Sequence, residues 1–90
     1  MPQRMKDKVI IITGAAKGIG RGIARVFADE GATLVIADID GEAGEATAAE
    51  LSRVGDGDVS FVKTDVTSRD SCEATVAGVL EAHDRIDVLV

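Results

Sequence analysis

The residues with the clearest chemistry are Thr13-Gly14-Ala15-Ala16-Lys17-Gly18-Ile19-Gly20, which follow the unbroken apolar run Val9-Ile10-Ile11-Ile12. A buried strand that breaks into a glycine-rich turn and then a helix presents free backbone N–H groups and the positive end of a helix dipole. That is how proteins seat a nucleotide pyrophosphate. Gly14 can take the backbone angles of a sharp exit from the strand, Gly18 lets a phosphate approach the main chain, and Gly20 lets the helix start close onto the sheet. The spacing Gly-x-x-x-Gly-x-Gly is not a Walker A loop, which ends in Gly-Lys-Ser/Thr. Nor is it the commoner Gly-x-Gly-x-x-Gly fingerprint, because Ile23 stands where the last glycine would fall. The competing explanation is a turn in which glycine merely relieves crowding, and the flanking strand and helix favour the phosphate seat.

Other reactive residue types are scattered. His83, the one histidine, falls near a predicted helix C-terminus, where an imidazolium complements the dipole. Cys72 lies on a helical apolar stripe and reads as a core residue. Glu42, Glu45 and Glu50 form a solvated helix face, and no His, Cys or carboxylate set has metal-ligand spacing, so no metal is expected.

The 90 residues make one small domain, able to bury roughly 60 to 70% of its unfolded surface. Apolar residues at 46% and charged residues at 29% are ordinary for a globular chain. Sixteen acidic against 10 basic side chains give a net charge of −6, which argues against nucleic acid and anionic membrane surfaces as partners. No apolar run approaches the ~20 residues that span a bilayer. A single cysteine and an N-terminus, Met1-Pro2-Gln3-Arg4-Met5-Lys6, that leads into no signal-like segment point to a reducing, cytoplasmic setting. With Phe27 and Phe61 as the only aromatics, the core must be aliphatic, which suits helices packed on a sheet.

The elements that must position the glycine turn follow from periodicity. Lys8 to Thr13 has the continuous apolar pattern of a central parallel strand. A helix from Ile19 carries Ile19, Ile23, Val26 and Phe27 at helical spacing and stops at Gly31. Thr33 to Ala37 is a second strand ending at Asp38, and Glu42 to about Val54 a second helix with Ala43, Ala46, Leu51 and Val54 inward. After the turn cluster Gly55-Asp56-Gly57-Asp58 comes a strand from Val59 to Thr64. Thr67 to Asp70 fits a capping box with Thr67 as N-cap, opening a third helix with Cys72, Val76, Val79 and Leu80 on one face. Ile86 to Val90 is a fourth strand. The order β-α-β-α-β-α-β predicts an α/β fold with a doubly wound parallel sheet of strand order 3-2-1-4. The first two helices then lie on one face, the third on the other, and the glycine turn at the switch point where such sheets bind ligands.

Thr13-Gly14-Ala15-Ala16-Lys17-Gly18-Ile19-Gly20 resembles the Thr-Gly-x-x-x-Gly-Ile-Gly signature of the classical short-chain dehydrogenases/reductases, and the likeness runs from about Lys6 to Val90. The final Ile86-Asp87-Val88-Leu89-Val90 resembles the family strand that leads into Asn-Asn-Ala-Gly. The resemblance implies a Rossmann-like dinucleotide-binding domain over residues 1–90, the N-terminal cofactor-binding part of an oxidoreductase that interconverts an alcohol and a ketone by hydride transfer. It places Gly14, Lys17, Gly18, Ile19 and Gly20 against the cofactor. Asp38, 18 residues after Gly20 at the end of the second strand, can accept hydrogen bonds from the adenosine ribose hydroxyls and repel a 2′-phosphate. That implies NAD rather than NADP. Ile39 agrees, standing where NADP-binding relatives commonly carry an arginine, while Lys17 opposes, since some NADP-preferring relatives carry a basic residue there. Asp38 could instead be a solvated turn acid. Asp65 and Val66 resemble the pair whose carboxylate and backbone amide meet adenine, although Asp65 could simply precede and cap the third helix.

The tyrosine, lysine, serine and asparagine that perform proton transfer in the family have no counterparts here. Tyrosine and asparagine are absent, and Ser52, Ser60, Ser68 and Ser71 belong to the cofactor half. No catalytic residue is therefore assigned, and the 90-residue chain alone is expected to be inactive. The expectation is a truncated or partial form of a longer enzyme whose complete version acts on a small alcohol or ketone and forms a dimer or tetramer. The alternative is a stand-alone, non-catalytic dinucleotide-binding or regulatory module. The fourth strand, as an apolar edge, predicts self-association of the chain alone.

Overall fold

A computed structural model describes residues 5–90, and the first four positions of the N-terminal segment discussed above lie outside the described residues. Alternating strands and helices follow the chain in the order β1 (Val9–Thr13), α1 (Gly18–Asp29), β2 (Thr33–Asp38), α2 (Gly41–Leu51), β3 (Val59–Lys63), α3 (Arg69–His83) and β4 (Val88–Leu89). All strand pairs are parallel and the sheet order is β3-β2-β1-β4, as expected from the pattern.

The apolar runs bury both faces of the two central strands. Ile10 and Ile12 of β1 and Leu34 and Ile36 of β2 pack with Ala24 and Ala28 of α1 and Ala48 and Leu51 of α2. The alternate residues Val9, Ile11, Val35 and Ala37 pack on the other face with Val79 of α3. Two helices therefore cover one face and the third crosses to the other, the consequence of a period-2 strand whose residues are apolar on both sides.

The helices differ from the expected stripes in an instructive way. Ile19 is 85% exposed, and Ile23 and Val26 also face outward. The sheet instead takes the neighbouring ridge of Gly20, Ala24 and Ala28, spaced four apart on one helical face. Small residues let the helix axis come close to the strands, and a Cβ at Gly20 would overlap the Gly14 carbonyl. On α2 the inward residues are Gly44, Thr47, Ala48 and Leu51, while Ala46 faces solvent and Ala43 is half-buried. Gly44 is pressed against the Phe61 ring of β3. The helix ends at Leu51, so Val54 lies beyond it, packed against the core from the following turn.

The N-cap expected at Thr67 falls one residue later, and no capping box closes around it. Ser68 is the N-cap of α3 and accepts a hydrogen bond from the Ser71 amide, at 3.2 Å. Thr67 instead donates both its amide and its hydroxyl to Asp65 Oδ1, at 2.9 and 2.6 Å, an Asx-type turn that outcompetes the cap. Thr75 and Val79 are the buried residues of α3, with Cys72 and Val76 half-buried and Leu80 exposed. The regular part of β4 is shorter than expected, and at its N-terminal end the Asp87 side chain takes the place of a main-chain acceptor, its Oδ2 accepting the Val9 amide at 2.8 Å. Main-chain bonds from Asp87 to Val9 and from Val90 to Ile11 nevertheless extend the pairing at both ends.

Candidate functional site

The strands β1, β2 and β3 end together. Thr13 is in register with Ala37, and Asp38 with Lys63, so the loops after these strands emerge side by side at the sheet's C-terminal edge. Gly14 leaves β1 with φ of +65° and its amide donates to the Ala37 carbonyl at 2.9 Å, closing the strand end against β2. Gly18 has φ of +67°, the left-handed region that disfavours a side chain, and a Cβ there would meet nothing within 4 Å. Gly18 is thus required by backbone conformation, and the space in front of it is open.

The start of α1 differs from those of the other two helices. Asp40 caps α2 and Ser68 caps α3, whereas the α1 N-cap, Lys17, is extended and provides no side-chain acceptor. First-turn N–H groups without a side-chain acceptor, next to glycines that leave the main chain accessible, suit an anion such as a pyrophosphate. Ile19 lies in this first turn with its side chain open to solvent.

Asp38 binds two segments at once. Its Oδ2 accepts the Ala16 amide at 3.2 Å, tying the glycine loop to the end of β2, and its Oδ1 accepts the Asp40 amide at 3.0 Å. On the other side of the loop the buried Thr47 hydroxyl donates to the Ala16 carbonyl at 2.6 Å. Asp40 Oδ1 accepts the Ala43 amide at 3.0 Å, and its Oδ2 lies 3.5 Å from Lys17 Nζ. The backbone hydrogen bond from Ala43, then the Lys17 ammonium, hold the Asp40 carboxyl below the ordinary carboxylate value. Asp65 is likewise shifted down, by the Thr67 hydroxyl and then the Thr67 amide. Its own amide donates to Ser71 Oγ at 2.9 Å, so Asp65 precedes α3 without capping it.

A cleft of ≈ 200 Å³ opens between these loops, lined by Gly14, Asp38, Ile39, Thr64, Asp65, Val66 and Thr67. Ile39 is 57% exposed and Val66 59% exposed, two apolar side chains at the rim of a slot that carries a carboxylate on either side. Five of the residues singled out in the sequence therefore line this cleft. Lys17, Gly18, Ile19 and Gly20 stand at the adjoining helix start, joined to it through Gly14 and the Asp38–Ala16 bond.

Asp40 and Thr47 were missed as site residues. The signal for Asp40 was the Asp-Gly-Glu-Ala start of a helix, a recognisable N-cap. Thr47 could have been noticed as a hydroxyl on the inward face of an alanine-rich helix. Glu50 is more than a solvated acid, since it pairs with Arg21 and Arg25 across α1 and α2. Cys72 is half-buried, its sulfur 3.8 Å from the carbonyl oxygens of Asp65 and Val66. His83 occupies the last turn of α3. Among the described residues no group of three or more His, Cys, Asp or Glu could hold a metal ion, and no helix is long and apolar enough to cross a membrane.

A parallel sheet of order β3-β2-β1-β4 with a glycine turn at the first strand end is the Rossmann dinucleotide-binding fold. The family model described as short chain dehydrogenase matches residues 8–90, and the chain belongs to that family. It is 48% identical over 89 residues to the sex determination protein tasselseed-2 of Zea mays, covering 98% of this chain and 25% of that protein. It is 43% identical over 84 residues to a 3-oxoacyl-(acyl-carrier-protein) reductase of Chlamydia trachomatis serovar D, covering 93% of this chain and 34% of that one. Among solved structures, a citronellol catabolism dehydrogenase of Pseudomonas aeruginosa PAO1 superposes with a TM-score of 0.92 at 32% identity, covering 99% of this chain and 37% of that one. A hydroxysteroid dehydrogenase from Escherichia coli gives a TM-score of 0.90 at 33% identity, covering 97% of this chain and 35% of that one. The chain thus spans between 25% and 37% of the length of these relatives.

Proposed function

We propose that this chain is the NAD-binding portion of a short-chain oxidoreductase whose complete form interconverts an alcohol and a ketone. One observation carries the reading: Gly14, which lines the cleft between Asp38–Ile39 and Asp65–Val66, opens the loop that Asp38 ties down at Ala16 and that leads into the uncapped start of α1. The donors, acceptors and apolar edges present support a dinucleotide as the occupant. Open main-chain N–H groups at Gly18–Gly20 suit the pyrophosphate. The Asp38 carboxylate suits the adenosine ribose hydroxyls, and the slot edged by Ile39 and Val66, with Asp65 beside it, suits an adenine ring and its amino group.

The preference for NAD rests on Asp38. A carboxylate held at the end of β2 meets a 2′-phosphate as a like charge, and Ile39 beside it offers no counter-charge. When bound, the nicotinamide supplies the hydride chemistry, while the residues of this chain bind and orient it. The tyrosine and asparagine of the family's proton transfer are not among these residues. The names of the relatives describe oxidoreductases in several cases, and an alcohol or ketone substrate is the reading this supports. Titration of the chain with NADH and with NADPH tests it. Saturable NADH binding with weaker NADPH binding is the expected result, and clear NADPH preference would overturn the role given to Asp38.

A further inference from the structure

Lys17 sits in the glycine loop as a cation, its side chain 75% exposed, immediately after the residue whose amide Asp38 holds. The Asp40 amide donates to Asp38 Oδ1 and the Asp40 carboxylate meets Lys17, so this cation stands at the Asp38 end of the site, where, left free, it would attract a 2′-phosphate and blunt the discrimination that Asp38 provides. Here it has a partner. Asp40 lies two residues beyond Asp38, and its carboxylate is already fixed as the N-cap of α2 by the Ala43 amide, at 3.0 Å. Its second oxygen faces Lys17 Nζ at 3.5 Å. The acid is pre-positioned by its capping duty, so pairing with Lys17 requires only the lysine to be ordered.

We propose that Asp40 is a specificity-determining residue: by engaging Lys17 it withholds from a 2′-phosphate the loop's own cation, so that rejection of NADP is shared between Asp38 and the Lys17–Asp40 pair. The inference rests on the dinucleotide reading above and deepens it. The sequence shows an acid two residues after the end of β2, but only the fold shows that it meets a residue 23 positions earlier. The pair is solvent-exposed, which bounds its influence and makes it sensitive to salt.

The test is the ratio of NADPH to NADH affinity, measured by calorimetry on the protein at its natural extent. Asp40→Asn retains a side-chain oxygen for the Ala43 amide and removes the charge. It should raise the ratio by about fivefold at low ionic strength, equivalent to roughly 1 kcal/mol, and the gain should shrink in 0.5 M salt. The double variant Asp40→Asn/Lys17→Ala should return the ratio to the parent value. An unchanged ratio in Asp40→Asn would overturn the proposal. So would a gain that persists in the double variant, which would assign the effect to another cation such as Lys63, the register partner of Asp38. If the parent protein binds NADH in preference but Asp40→Asn does nothing, only this inference fails. If the parent binds neither cofactor, the dinucleotide reading fails with it.

Discussion

Asp38 and Thr47 act together on a single peptide. The Ala16 amide is held by Asp38 and the Ala16 carbonyl by Thr47, so the middle of the glycine loop is fixed from both sides. Thr47→Val keeps the shape of the side chain but orphans a buried carbonyl, and should cost about 1–3 kcal/mol in denaturant unfolding. The same variant should weaken NADH binding, because the loop loses one of its two tethers. Gly18→Ala places a side chain at φ of +67° and should cost about 1–2 kcal/mol. Gly22→Ala, in the open interior of α1, should instead stabilise by up to about 1 kcal/mol, which makes it the control for a general glycine effect. The carboxylates add a pH dependence. Asp40, Asp65 and Asp87 are each held below the ordinary value of 3.8 by hydrogen bonds made in the folded state. Their contribution is therefore fully present above that value and is lost as pH falls through the lowered folded values. Thermal melts should vary little from these groups above about pH 5 and should fall below about pH 4. A melting temperature that rose on acidification through that range would contradict the hydrogen-bond assignments. At this scale the placement of Gly14, Gly18 and Asp38 was legible in the sequence, because it follows from position in a strand–turn–helix unit. Asp40 and Thr47 were not, because each acts on a loop more than 20 residues away.

The helices are positioned by small residues and caps more than by their largest apolar side chains. Gly20, Ala24 and Ala28 bring α1 onto the sheet, leaving Ile19 and Val26 outside, and Gly44 brings α2 against Phe61. Periodicity located both helices, yet on α1 it favoured the bulkier stripe, because spacing alone does not say that a close approach buries an alanine ridge more completely. Strand order and crossover were legible for the opposite reason: β1 and β2 are apolar on both faces, and only a doubly covered parallel sheet satisfies that pattern. The start of α3 offers a direct check on capping. Ser68→Ala should destabilise the chain by about 1 kcal/mol, and Thr67→Ala by less, since its hydroxyl bond to Asp65 is exposed. Equal losses, or a greater one at Thr67, would restore Thr67 as the cap.

The two faces of the molecule are unequally finished. One is sealed by α1 and α2, while on the other α3 leaves an apolar cleft of ≈ 280 Å³ against Ile11, Ala37 and Leu89, among others. Leu89 of β4, the edge strand of the sheet, and Val90 just beyond it are exposed. An apolar edge of this kind pairs readily with another chain. Light scattering of the 90-residue chain should therefore show self-association that grows with concentration, and a monodisperse monomer at high concentration would count against it. Mixed with NAD and an alcohol, the same chain should produce no NADH, since the tyrosine and asparagine of the family's proton relay are not among its residues. The central claim is that the glycine turn, Asp38 and Asp65 together hold one adenine dinucleotide without a 2′-phosphate. Calorimetric titration with NADH and NADPH under identical salt tests it most directly. Saturable binding of NADH, tighter than that of NADPH by roughly tenfold or more, is the expected result. Equal or tighter binding of NADPH, or binding of neither, would contradict it.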